Sequence, residues 1–400
     1  MRILMTMHHF FSMDQAAPRT TWHLRQEFRR LGHEAWIYSY DNLPKFLPYK
    51  VKFALFPWFV AGWIARHAFG RVDVVDAMTS DAWLWSIAGR FLGRRRPLVI
   101  TRCHGLEHIL EASDRAQALE MGKHFTWRYY LYYAGFHLWE VAASLRYADR
   151  AFFLNSRDSS YAVTKLGVRR DRVRVKWSGL SEEFLGLPWD RPSDFPDKIR
   201  VAQIGTFIAR KGIDFSIPAY EALLDRYPQL EVGFFGTSAA APTVLQRFRS
   251  DLHHRIRVVP HFQHEELPTL LRDYHITVFP SLYEGLGLGA VEAMACGLVP
   301  IVTDIPGPTE FVHDGENGLI VPARDSSAIT QAATRLIEDV ALWRRLRRNA
   351  HETAQQFDWR RIVAETADIY QAALAEVRGV PRLCNGEVGH ARILDGQDRE

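Results

Sequence analysis

Residues Ile276 to Glu310 read ITVFPSLYEGLGLGAVEAMACGLVPIVTDIPGPTE. The run opens with Ile276 to Phe279, apolar and rich in β-branched residues, which predicts a buried strand. Pro280 and Ser281 stop it, and Glu284 stands at the strand's exit. Gly285, Gly287 and Gly289 then leave a nearly bare backbone between Glu284 and Glu292. Ala290 to Ala295 are mostly good helix formers, and Gly297 stands where a helix-ending glycine belongs. A strand thus leads through a glycine loop into a helix, with one carboxylate before the loop and one inside the helix.

Free N–H groups at a helix start attract anions, and glycines let a ligand approach the backbone. Two flanking carboxylates would repel a bare phosphate. A ligand carrying both hydroxyls and phosphates fits better, because carboxylates accept hydrogen bonds from sugar hydroxyls while amides face the phosphates. Glycine spacing alone does not separate such a site from a glycine-rich turn with solvated glutamates.

The wording around the loop does. Glu284 and Glu292, seven residues between them, resemble the E-x7-E element of the retaining glycosyltransferases of family 4, which have the GT-B fold. VFPSLYEG, EAMACGLVPIVTD, Glu310 and DGENGLIV are similar to that family as well. The resemblance runs over roughly residues 1 to 378 and is densest from Val201 to Val321. It implies an α/β GT-B protein, two Rossmann-like domains facing a central cleft, with a C-terminal helix crossing back to the first domain.

Length and composition agree with that class. Four hundred residues suffice for two or three domains with full cores. Charged residues at 24% and hydrophobic ones at 47% exclude a disordered chain. Cys103, Cys296 and Cys384 lie far apart, which predicts neither a disulfide framework nor a zinc site and suits a reducing cytosol. A net charge of +4 would suit an anionic membrane face or a phosphorylated ligand without identifying either. The apolar run after Arg2 is too short for a secretory signal and reads as a first strand, Arg2 to Met7.

The resembled family follows that strand with a glycine-rich loop. Here Asp14-Gln15-Ala16-Ala17-Pro18 stands instead, and alanines cost close approach and positive φ. Pro18 is expected at the start of a helix running through Leu31, closed by Gly32. Strands are predicted at 35–40, 72–77, 97–101, 150–154 and 173–177, with helices between them, as at 82–91 and 158–166. Such alternation predicts a parallel sheet covered on both faces. After a Pro- and Asp-rich linker the alternation restarts, with strands at 198–205, 232–235, 255–259, 276–279 and 299–303. The expected domains are 1–185 plus a returning helix near 357–378, a linker 186–198, a second domain 199–356, and a mobile tail 379–400.

Two segments of the first half are unusual. From Lys45 to Arg71 there is no acid, and basic residues flank the apolar run Phe53 to Ala65. From Met121 to Trp139 there is again no acid, with Lys123, Arg128 and a crowd of aromatics. Neither reaches the ~20 apolar residues that cross a bilayer. Basic-aromatic segments can lie in the headgroup layer, although aromatics equally fill cores.

At the first turn of the second sheet, Gly205-Thr206 precedes Arg210-Lys211-Gly212, and paired cations at a strand-to-helix turn can meet a diphosphate. Cations opposing a helix macrodipole want an anion nearby. The resemblance retains Lys211-Gly212 and puts Thr206 where the family has Arg, leaving Arg210 to supply the fork. It further implies that His104, after the strand 97–101, contacts the donor sugar or reaction centre. Glu284, with the backbone of Gly285, Leu286, Gly287 and Leu288, would hold the sugar. Glu292 would take the ribose hydroxyls, and Gly205, Thr206, Gly236, Pro260 and Glu310 would line the rest of the donor site. The catalytic set is then Glu284, His104, Lys211 and Arg210.

No Asp-x-Asp metal element is present, since Asp73 and Asp76 have the wrong spacing. The expectation is metal-independent transfer of a sugar from a nucleoside diphosphate sugar, as co-substrate, to a glycan or lipid-linked acceptor, in the cytoplasm or at the inner membrane face. No cofactor and no nucleic-acid partner is expected. A non-catalytic nucleotide-sugar binder, or an epimerase or phosphorylase on the same architecture, remains open at this point.

Overall fold

The computed structural model describes residues 1–13, 15–68, 70–120, 122–187 and 198–379. Asp14, most of the expected linker and the expected tail from 380 lie outside the described residues. Six strands form the first sheet: β1 (Arg2–Met7), β2 (Glu34–Ser39), β3 (Val74–Met78), β4 (Leu98–Arg102), β5 (Arg150–Phe153) and β6 (Val173–Val175). Six more form the second: β7 (Ile199–Ile204), β8 (Leu230–Phe235), β9 (Ile256–Val259), β10 (Ile276–Phe279), β11 (Val299–Thr303) and β12 (Leu319–Val321). The orders are β2-β1-β3-β4-β5-β6 and β12-β11-β10-β7-β8-β9, with every pairing parallel.

All-parallel sheets must be buried on both faces, which is why β3, β4, β10 and β11 are rich in apolar and β-branched residues and buried throughout. Ligand sites in such sheets lie beyond the strands' carboxyl ends. The predicted strands are all present, with shifts of at most two residues at their ends. β12 has no counterpart among the predicted strands: three residues between Gly318 and Pro322 carry too little periodicity to read.

The long C-terminal helix, Trp359–Arg378, starts at an Asp358 side-chain cap and returns to the first domain. Trp359, Val363, Tyr370 and Leu374 pack with Ile3, Val74, Ile100 and Phe152 in one buried cluster. Each large apolar side chain buried there is worth about 1.5–3 kcal/mol. Tyr370 also bonds Asp76, and Arg102 donates to Asp76 Oδ2 at 3.0 Å and to the Tyr370 hydroxyl at 2.9 Å. The crossing helix is thereby locked beneath the first sheet by a fully buried polar knot.

One boundary corrects the sequence reading. The first helix spans Ala16–Arg30, so Pro18 is its third residue rather than its first. Alanine is the best helix former, and the pair Ala16-Ala17 therefore continues the helix where glycines would leave a loop. Proline is tolerated there because N–H groups of a first turn have no intrahelical partner. The basic-aromatic segments are helical: Tyr49–Trp63, with Pro57 inside it, and a wide π-helical stretch Tyr129–His137 running into Leu138–Tyr147. No helix among the described residues is long and apolar enough to cross a membrane.

Candidate active site

The site begins where β10 ends. Leu282 N–H donates to Arg210 O at 2.8 Å, which fastens the strand exit to the turn carrying the two cations. Glu284 Oε1 accepts from Lys211 Nζ at 2.5 Å and from Ser281 Oγ at 2.7 Å. The Lys211 ammonium also lies over the Phe279 ring, 5.2 Å from its centroid. Gly205 sits against the Lys211 stem at φ 128°, a backbone conformation that side-chain-bearing residues rarely adopt. Gly212 is required more strictly: a Cβ would fall 1.8 Å from Pro280 O, and its φ is 72°.

Gly287, at φ 91°, starts the helix Leu288–Ala295 and turns Glu292 inward. Glu292 is buried and accepts at Oε1 from His264 Nε2 at 2.8 Å and from Arg19 Nη2 at 3.2 Å. Burial pushes its carboxyl upward, but the His264 bond and the Arg19 charge outweigh that and hold it below the usual range. Leu286 is a core residue, so its backbone alone can serve a ligand. Gly236, at φ 72°, and Pro260 stand at the exits of β8 and β9, where Ser238 N–H donates to Pro260 O at 3.1 Å.

The first domain closes over this loop. A Cβ on Gly285 would lie 2.1 Å from His104 O, so the glycine loop rests on the His104-Gly105 backbone. Asn155 Nδ2 donates to Gly285 O at 2.7 Å, and Ser156 gives N–H and Oγ bonds of 2.7 and 2.6 Å to Glu310. The Tyr283 hydroxyl donates to Asp158 at 3.2 Å. Glu310 is therefore at the cleft, with its carboxylate engaged by the first domain. Burial and the charges of Arg102, His8 and His9 push His104 down to about 3, so it is neutral and able to accept or donate a hydrogen bond. Arg210 lies near Asp114 of the first domain, where its charge opposes the rise that burial imposes on that carboxyl.

The structure thus brings Glu284, Glu292, Lys211, Arg210, His104 and the glycine loop into one cleft. It adds residues that spacing did not mark. Arg19, His264 and Asn155 come from three unrelated places in the chain, and a lone polar residue in a helix or turn carries no pattern. Further inside the first domain, His8 Nδ1 meets the fully buried Asp81 at 2.7 Å, backed by Thr6. His137 lies 2.6 Å from Glu107 and 3.4 Å from Glu140. Burial pulls His137 down, but those two carboxylates raise it to about 9. A groove of about 430 Å³ lined by Trp22, His23, Glu182 and Trp359 opens elsewhere, beside the first helix, and holds none of the predicted site residues.

Residues 189–354, which contain both glutamates and Lys211, match the family model of the glycosyl transferases group 1. The D-inositol 3-phosphate glycosyltransferase of Acidothermus cellulolyticus is 30% identical over 339 residues, covering 80% of this chain and 72% of that protein. The chain belongs to the glycosyl transferases group 1. A protein of the same description from Streptomyces bingchenggensis is 31% identical over 334 residues, which span 80% of this chain and 65% of that relative's length. Among solved structures, sucrose-phosphate synthase from Thermosynechococcus elongatus superposes with TM-score 0.73 at 20% identity, covering 94% of this chain and 99% of that one. Anabaena Alr3699/HepE in complex with UDP gives 0.67 at 18% identity, covering 93% and 100%. These likenesses establish the GT-B fold of this group 1 chain.

Proposed function

We propose that the chain is a retaining, metal-independent glycosyltransferase of the family 4 type, moving a sugar from a nucleoside diphosphate to a glycan or lipid-linked acceptor held by the first domain. The observation that carries this reading is the convergence of Glu284, Glu292 and Lys211 on one cleft, with Lys211 bonded to Glu284. In the reaction the anomeric C–O(phosphate) bond breaks with its electron pair on the diphosphate. The acceptor oxygen bonds the same carbon from the same face, and its proton passes to the leaving phosphate oxygen. Charge grows on the diphosphate, and preorganised donors aimed at it lower the barrier. Lys211, Arg210 and the N–H groups at the start of the helix Leu288–Ala295 are those donors, and the absence of an Asp-x-Asp element in the sequence favours protein cations in this role. Glu292 takes the ribose hydroxyls, Glu284 and the neutral His104 contact the sugar, and Gly205, Thr206, Gly236, Pro260 and Glu310 shape the remainder.

The reading extends to a peripheral contact with the inner face of a membrane in the cytoplasm. It is supported by the aromatic face that the two acid-free helices share: Phe53 meets Tyr132, and Trp58 meets Trp83, which meets Phe136 and Trp139. Phe46 is 83% exposed, Trp127 68% and Leu131 67%, with Lys45, Lys50, Lys123 and Arg128 close by in sequence. Such composition suits an anionic headgroup layer.

The test is mass spectrometry of products from a panel of nucleoside diphosphate sugars incubated with membrane extract. Release of nucleoside diphosphate with the sugar on a new acceptor is expected. Free sugar as the product, a requirement for inorganic phosphate, or an intact donor throughout would refute the assignment.

A further inference from the structure

The first domain contributes a side chain to the donor pocket that no motif marks. Because Ala16 and Ala17 are helical, Arg19 stands in the opening turns of the first helix instead of beyond a loop. From there Nη1 donates to Met13 O at 3.2 Å and Nη2 to Glu292 Oε1 at 3.2 Å, across the cleft. The Arg19 side chain is only 12% exposed, so its guanidinium is held inside the protein. Glu292 also feels the Lys211 charge, which puts both cations in one electrostatic cluster. Each candidate donor carboxylate therefore holds a cation: Glu284 holds Lys211, and Glu292 holds Arg19.

A nucleoside diphosphate sugar brings the complementary set. Its neutral hydroxyls satisfy carboxylates, and its dianionic diphosphate needs cations. Donor entry is then an exchange of partners, in which hydroxyls take Glu292 and Glu284 while the cations turn to the phosphates. Arginine suits this role, because its fork can leave one carboxylate and meet phosphate oxygens in pairs.

We propose that Arg19 is a donor-site residue: released from Glu292 by the ribose, its guanidinium binds the diphosphate from the first-domain side. With Arg210 and Lys211 it makes a cradle that is complete only when both domains flank the cleft. Arg19 thereby reaches the cleft from the segment where the resembled family has its glycine-rich loop. This inference rests on reading the cleft as a nucleoside diphosphate site.

The experiment titrates full-length wild type, Arg19→Gln and Arg19→Lys with UDP, ADP and GDP, and with the matching nucleosides, by calorimetry. A hydrogen bond to a charged group contributes about 1.5–3 kcal/mol, so Arg19→Gln should weaken the diphosphate that wild type binds about 10- to 100-fold. Its nucleoside affinity should stay within about twofold, and Arg19→Lys should fall between the two proteins. Equal losses for nucleoside and diphosphate would reduce Arg19 to a structural tie and overturn the proposal. Tighter binding by Arg19→Gln would make Arg19 a latch that the donor must displace, which also overturns it, as does unchanged affinity. Failure of wild type to bind any nucleoside diphosphate is a different result and removes the underlying reading of the cleft.

Discussion

Replacing Gly285 by Ala presses on the contact between the two halves of the site. The added Cβ would lie 2.1 Å from His104 O, 2.9 Å from His104 C and 3.3 Å from Leu154 Cδ1. The first two are backbone atoms with no rotamer to escape into, so relief requires the glycine loop and the His104 loop to part by more than 1 Å. That separation also strains the Asn155 bond to Gly285 O, now 2.7 Å. A misplacement of this size in a reacting geometry costs about 100-fold in rate, or about 2.7 kcal/mol of transition-state stabilisation. Nucleoside diphosphate affinity should fall less than turnover, because Lys211, Arg210 and Glu292 all belong to the second domain and only Arg19 reaches the site from the first. The assay is steady-state donor turnover beside calorimetric binding of the nucleoside diphosphate, with a circular-dichroism melt confirming the fold. An alanine variant with wild-type turnover would refute the reasoning, since it would mean that these loops do not touch during the reaction.

Other outcomes follow from the same geometry. Lys211→Met keeps the stem over Phe279 but removes the charge at Glu284, and should lower turnover about 10²- to 10³-fold while the fold persists; turnover within threefold of wild type would sink the role. His137 is raised to about 9 by Glu107 and Glu140 against the downward pull of burial. Its ion pairs therefore contribute stability that is full below about pH 6.5 and lost as pH rises through about 9, on the order of 3 kcal/mol. The gap in melting temperature between wild type and His137→Gln should close over that window, and a gap constant from pH 6 to 10 would contradict the pairing. Serine at Trp58, Trp127 and Leu131 together should abolish co-sedimentation with phosphatidylglycerol-containing vesicles, while wild type binds them less as salt rises. Failure of wild type to sediment with those vesicles would remove the membrane contact.

The fold was largely legible because parallel sheets impose a coarse, repeated pattern. Ile276–Phe279 and Val299–Thr303 are apolar for a reason that needs no partner to be known, namely burial on both faces. The loop was legible for a local reason: Glu284, the glycines and Glu292 sit within one strand–turn–helix unit. Contacts made by the tertiary fold left no such mark. Arg19 and Glu292 are separated by 273 positions, and His264 precedes Glu292 by 28. Nor could the alanines announce that they extend a helix toward the cleft. Read locally, Ala16-Ala17 were only a lost glycine loop, whereas in the fold they set the register that delivers Arg19. Glu310 shows the converse, a residue marked by resemblance whose carboxylate the first domain engages through Ser156.

The most direct measurement is a crystal structure of the protein with the nucleoside diphosphate that it binds best. Ribose hydroxyls on Glu292 are expected, with the diphosphate within hydrogen-bonding distance of Lys211 Nζ and Arg210. A nucleotide bound outside the cleft, or inside it with its phosphates turned away from both cations, would contradict the account.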